Sequence, residues 1–167
     1  MLEFTVLENF MALLGNILWF FLGGWALFIA YTLGAIFFFP MFIPLFRLAC
    51  YAVWPFGRDV VTQAQLDRYR QVKGLASESS AIGTTMKNVS AVLNILWMLT
   101  FGWVLALIHL MASLGNLCMF FLIVTIPNIV GHWKLIRVGF LPFNKVIVPK
   151  AVAEEIRQEI AKSKLGL

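Results

Sequence analysis

The sequence predicts an all-α membrane protein made of two tandem parallel repeats. Each repeat is expected to be a transmembrane helical hairpin with a proline-bent second helix, followed by a short cytoplasmic polar helix. That gives about four transmembrane helices. Three observations predict this class. Of the 167 residues, 61% are hydrophobic and only 13% are charged, against about 25% charged in a typical soluble domain. Two long runs, Asn9 to Phe46 and Asn88 to Trp133, contain no Asp, Glu, Lys or Arg. The two runs also resemble each other.

The runs set the helix count. At about 1.5 Å per residue they make about 57 and about 69 Å of helix, and two crossings of a hydrocarbon core need about 60 Å. The second run is long enough to cross twice, with a turn expected near Met111 to Gly115. The first is marginal, so its hairpin must borrow from residues 47–54, thin the bilayer or stop short as a re-entrant loop. A single tilted helix is the other arrangement its length allows. The N-terminus, MLEFTVLENF, carries Glu3 and Glu8 and no basic residue. It lacks the basic start of a secretory signal, and the first apolar segment is expected to stay in the protein.

The duplication reads directly from the letters. NILWFFLGGW at 16–25 matches NILWMLTFGW at 94–103, pairing Asn16 with Asn94, Trp19 with Trp97 and Gly24-Trp25 with Gly102-Trp103. Further on, at a larger offset, Pro40, Arg47, Pro55, Phe56 and Val61 pair with Pro127, Lys134, Pro142, Phe143 and Val148. The second copy is thus longer between its Gly-Trp and its proline. The chain divides into a first repeat over 1–76, a flexible cytoplasmic linker over 77–87 and a second repeat over 88–167.

Each repeat ends in a polar helix. In the first, Thr62 is placed to cap a helix over 62–73, stopped by Gly74, with Leu66, Tyr69 and Val72 or Lys73 on its apolar side. In the second, Pro149 opens a helix over 149–164. Its early Glu154 and Glu155 and late Lys162 and Lys164 suit the helix dipole, and Val152, Ile156 and Ile160 form its apolar stripe.

Charge sets the orientation. Lys and Arg crowd the segments after each run, so the 58–87 loop and the C-terminus are expected in the cytoplasm. An even number of crossings then lies between them, which makes the repeats parallel. The acidic N-terminus adds no support to this orientation. The formal net charge of +5 comes from residues beside apolar runs, which reads as membrane anchoring and not as nucleic-acid binding. The segments from Pro40 to Trp54 and from Pro127 to Leu141 are expected to lie along the cytoplasmic interface. Trp54, Trp133, Arg47, Lys134 and Arg137 would anchor them there.

Few residues suggest chemistry. Asn16, Asn94 and Thr100 are the polar side chains inside the apolar runs that could line a pore or join helices. Thr100, Thr32 and Ser113 are expected to bond back to their own helix carbonyls. Ala26, Ala30 and Gly34, and Gly102 with Ala106, recur at four-residue spacing and suit close helix packing. Measured along the helix from Asn88, His109 falls at the far membrane surface, and His132 falls at the near one, where the two could not share a metal. Cys50 and Cys118 read as unpaired hydrophobes. No catalytic group, metal set or cofactor is expected, because phosphate-binding glycine loops, paired carboxylates and nucleophile–base signatures are missing.

The repeated NILW…GW segment, the apolar run with its internal proline and the closing PFGR and VV resemble the YccF family of bacterial inner-membrane proteins. The resemblance covers roughly residues 10–62 and 88–150. Pro44 and Asn144 stand where glycine is usual in the family, and the first repeat is shortened. The resemblance implies a multi-pass protein of the bacterial inner membrane and supplies no mechanism.

Two functions fit the sequence. One is a homo-oligomeric channel or passive pore for ions or small solutes, formed between protomers and lined by neutral polar groups. The other is a non-transporting scaffold or accessory subunit that shows its cytoplasmic helices to a protein partner. The lipid bilayer is the one certain environment in both.

Overall fold

The computed structural model describes residues 2–75, 81–119 and 121–166. Two compact units emerge, each drawing on both repeats. The first comprises Met1–Gly57 and Asn94–Pro142; the second comprises Arg58–Leu93 and Phe143–Leu167.

The first unit is helical. Helix α1 (Leu2–Trp19) passes through a wide, kinked turn at Phe20–Gly24, where Gly23 has φ 131°, into α2 (Trp25–Phe37). In the second repeat the end of α5 (Ala81–Trp97, of which the residues up to Leu93 belong to the second unit) runs through a π-helical turn at Met98–Gly102 into α6 (Trp103–Cys118). The two wide turns sit at the same place in each copy, just after the repeated tryptophan. The stretches Val6–Phe37 and Lys87–Cys118 are each 32 residues long and apolar enough to cross a membrane. At about 1.5 Å per residue each reaches about 48 Å, more than the roughly 30 Å of hydrocarbon. Phe21, Leu33, Phe37, Leu99 and Met111 lie exposed along them, as lipid-facing side chains should.

A second, shorter helix follows each long one. Helix α3 (Phe42–Val53, 12 residues) comes after the turn at Phe39–Met41, and α7 (Ile126–Phe140, 15 residues) after the turn at Ile123–Thr125. Pro40 lies in the turn before α3 and Pro127 is the second residue of α7, positions where the missing N–H costs little. Both return along the long helix of their own repeat. Trp19 Nε1 donates to Ala52 O at 2.8 Å, and Trp97 Nε1 donates to Gly139 O at 2.8 Å. These are the same bond made twice, by residues that the duplication pairs.

The returning arms correct two expectations. Helix α6 continues straight through Met111 to Gly115, and the chain turns beyond Cys118 instead. The extra residues of the second repeat therefore lengthen its hairpin tip. The proline segments do not lie apart along an interface. Leu45, Leu48, Ala49, Tyr51 and Ala52 of α3, and Leu135 and Val138 of α7, are buried. As helices, the arms measure about 18 and about 22 Å, less than the roughly 30 Å of a hydrocarbon core.

The second unit contains structure that an all-α reading leaves out. Strands β1 (Arg58–Thr62) and β2 (Lys145–Pro149) pair antiparallel, with Val60 opposite Ile147. They come from the matching RDVVT and KVIVP segments. Helix α4 (Gln63–Val72) starts in a capping box: Thr62 Oγ1 accepts from the Gln65 N–H, and the Gln65 side chain accepts from the Thr62 N–H. Gly74, at φ 66°, follows its end. Helix α8 (Lys150–Leu165) follows β2. Val61, Ala153 and Ile156 form the core, joined by Leu66, Tyr69, Val146, Val148 and Ile160. The buried stripe of α8 thus uses Ala153, while Val152 is 40% exposed. Helix α5 begins at Ala81, so residues 81–87 of the expected linker are helical; its residues 77–80 lie outside the described residues.

Candidate functional site

The hairpins bring together side chains that lie far apart in the sequence. Because α7 returns along α6, His132 comes back to the level of His109. Their Nδ1 atoms stand 3.0 Å apart. On the other side of the His109 ring, Nε2 lies 3.0 Å from the Tyr31 hydroxyl. Tyr31 and His109 are 1% and 0% exposed, and His132 is 6% exposed. The expectation of two histidines at opposite surfaces is therefore wrong. It placed the turn of the second hairpin near Met111 to Gly115, whereas α6 runs on to Cys118 and the chain reverses beyond it, which brings the two histidines level.

The line Tyr31–His109–His132 draws on α2, α6 and α7. One proton lies between the two Nδ1 atoms, so two arrangements satisfy it. In one, Tyr31 O–H donates to His109 Nε2 and His109 Nδ1–H donates to His132 Nδ1. In the other, His132 Nδ1–H donates to His109 Nδ1 and His109 Nε2–H donates to the Tyr31 oxygen. Both keep the imidazoles neutral, as apolar surroundings favour. Among the described residues no group of three or more His, Cys, Asp and Glu side chains converges to hold a metal.

Packing fixes these rings. Trp19 lies 4.5 Å from His132, centroid to centroid. The Tyr31 hydroxyl fits only because residue 139 is glycine: a Cβ there would stand 2.7 Å from it. Polar groups continue the line towards the hairpin tip. Ser113 is one turn further along α6 and Asn128 one turn earlier on α7, both buried. Asn128 Nδ2 reaches Asn116 Oδ1 at 3.5 Å, and Thr125 Oγ1 donates to Leu122 O at 2.8 Å.

The candidates named from sequence lie elsewhere. Asn16 is buried, and its amide clamps the Phe56 backbone: Nδ2 donates to Phe56 O at 3.0 Å and Oδ1 accepts from Phe56 N at 2.9 Å. Asn94 is half-buried on α5. Thr100 is exposed in its π-helical turn, and its hydroxyl donates to Leu96 O at 2.8 Å, as expected. Thr32 differs, since its buried hydroxyl has no hydrogen-bond partner. Gly34 and Gly102 both serve the Trp97 ring, which a Cβ at either position would meet at 2.8 Å. Ala30 and Ala106 are half-buried, and Ala26 is exposed. Trp54 and Trp133 are exposed, as are Arg47 and Arg137, and Lys134 Nζ sits 5.7 Å from the centre of the Tyr51 ring.

The sequence did hold a signal for the missed cluster. Under the repeat pairing, His109 matches Tyr31, His132 matches Leu45, Asn128 matches Met41 and Ser113 matches Ala35. The polar residues are a departure of the second copy from the first.

Fold and site together define a mainly helical integral membrane protein with a duplicated membrane segment and a second compact unit that holds the β1–β2 pair with α4 and α8. The chain belongs to the YccF family: the model of its inner membrane component domain matches residues 14–58 and 92–145. That description places the protein in the inner membrane and names no reaction. No curated protein and no solved structure matches the chain.

Proposed function

We propose that the membrane unit is a passive conduit for ions or small species. The observation that supports this is the polar seam between α6 and α7. Buried polar groups in a membrane are costly and tend to mark functional paths. The first hairpin shows that the fold does not need them, because Ala35 and Leu45 are equally buried there. In this reading the path follows the seam inside each protomer. A pore between associated protomers, with Asn94 and the exposed Thr100 on its wall, is the other form of the same function.

A second reading has its own support. The second unit is a compact body with its own core, which suits a scaffold that presents α4 and α8 to a cytoplasmic partner.

Flux into vesicles carrying the purified full-length chain separates the two. A conduit carries ions or protons above the level of empty vesicles. Flux equal to that of empty vesicles for protons, potassium, sodium and chloride alike removes the conduit and leaves the scaffold.

A further inference from the structure

We infer that the Tyr31–His109–His132 line is a proton relay, so that the proton is the species carried; this rests on the conduit reading above. Hydrated ions need room, and here the groups touch at hydrogen-bond distance, 3.0 Å at both links. Protons need no room. They need contiguous groups that both donate and accept, and a phenol and two imidazoles are such groups.

The two arrangements of the line differ by one proton passage. A proton joins the Tyr31 oxygen. The original hydroxyl proton passes to His109 Nε2, the His109 Nδ1 proton passes to His132 Nδ1, and the His132 Nε2 proton leaves. One proton enters, one leaves, and each ring ends neutral in its other tautomer. Rotation of the Tyr31 hydroxyl and reorientation of the rings restore the start. Every bond formed is an O–H or N–H bond that replaces one broken at the next atom.

Position supports the same conclusion. Tyr31 and His109 occupy matching places in the two repeats, so the relay sits where the copies meet. Ser113, Asn128 and Asn116 extend hydrogen-bonding groups from the histidines towards the tip of the second hairpin. A purely structural need would be met by leucine, which the first repeat uses at the place of His132.

The test uses the full-length chain in vesicles with a trapped pH-sensitive dye and a potassium gradient set by valinomycin. Wild-type vesicles should acidify or alkalinise with the sign of the potential. His132→Leu installs the side chain of the matching position, and its proton flux should fall by about a hundredfold or more, the scale at which a positioned proton-transfer group acts. Tyr31→Phe, which removes one hydroxyl, should do the same, and its small volume change guards against a misfolded leucine variant. Unchanged proton flux in both variants, at unchanged melting temperature, overturns the relay. Flux of potassium, sodium or chloride without protons also overturns it and leaves the conduit standing. No flux of any species overturns both.

Discussion

At the scale of single residues, hydrogen-bond partners decide what a polar side chain in the membrane unit is for. Asn16 spends both ends of its amide on one peptide unit, Phe56. It therefore holds the end of the returning arm against the long helix. Asn16→Leu would leave the part-buried N–H and C=O of Phe56 without these partners, at a cost of about 1 to 3 kcal/mol. The expected result is a clear drop in melting temperature in detergent. An unchanged melting temperature with altered vesicle flux would instead mark Asn16 as part of a path. The polar character of Asn16 was legible in the sequence, and so was its pairing with Asn94. Its partner was not, because nothing in the letters says that Phe56 returns to the level of Asn16. The histidines failed for the same reason. Spacing along a helix measures depth only until the chain reverses, and the reversal beyond Cys118 lies past the expected turn.

At the scale of elements, local chemistry was easier to read than pairing. The caps and charges of α4 and α8 follow from Thr62, Gly74 and the acidic-to-basic order of α8. The β1–β2 ribbon was missed because each strand is five residues long and its partner lies in the other repeat. Opposite charges link the two helices. Lys73 Nζ stands 2.9 Å from Glu159 Oε2, Lys162 Nζ stands 2.9 Å from Glu159 Oε1, and Tyr69 donates to Glu155 at 2.7 Å. Hydrogen bonds from Lys73 and Lys162 hold the Glu159 carboxyl below its ordinary range. A carboxyl depressed in the folded state stabilises the fold above its ordinary value, about 4.5, and that stabilisation fades as pH falls through the lower folded value. Amides of α4 and α8 should therefore lose hydrogen-exchange protection as pH drops below about 4.5, after correction for intrinsic rates. Glu159→Gln should flatten that part of the pH dependence, and added salt should weaken it. The effect should be small, because the pair is solvent-exposed. An identical pH profile in the variant would show that Glu159 does not couple the helices.

At the scale of the whole molecule, the duplication and the pairing of its ends constrain topology together. Strands β1 and β2 exchange backbone hydrogen bonds in register from Arg58↔Pro149 to Thr62↔Lys145. Backbone partners cannot sit on opposite faces of a bilayer. Whatever lies between Thr62 and Lys145 must therefore leave and re-enter on one side. The segment between them holds the long helix of the second repeat and its short returning arm. The basic residues of the second unit, among them Arg68, Arg70, Arg157 and Lys164, lead us to predict that this side is cytoplasmic, because Lys and Arg near membrane segments tend to stay there. The prediction is a single-sided pattern. With Cys50 and Cys118 replaced, a cysteine at exposed Gln71 and another at Ser163 should both resist a membrane-impermeant thiol reagent in intact cells. Both should react once the inner membrane is opened. Labelling of both in intact cells would keep the paired ends and reverse the orientation. Labelling of one alone would break the β1–β2 pairing in the membrane, and with it the parallel arrangement of the repeats, since an odd number of crossings would then separate the two ends.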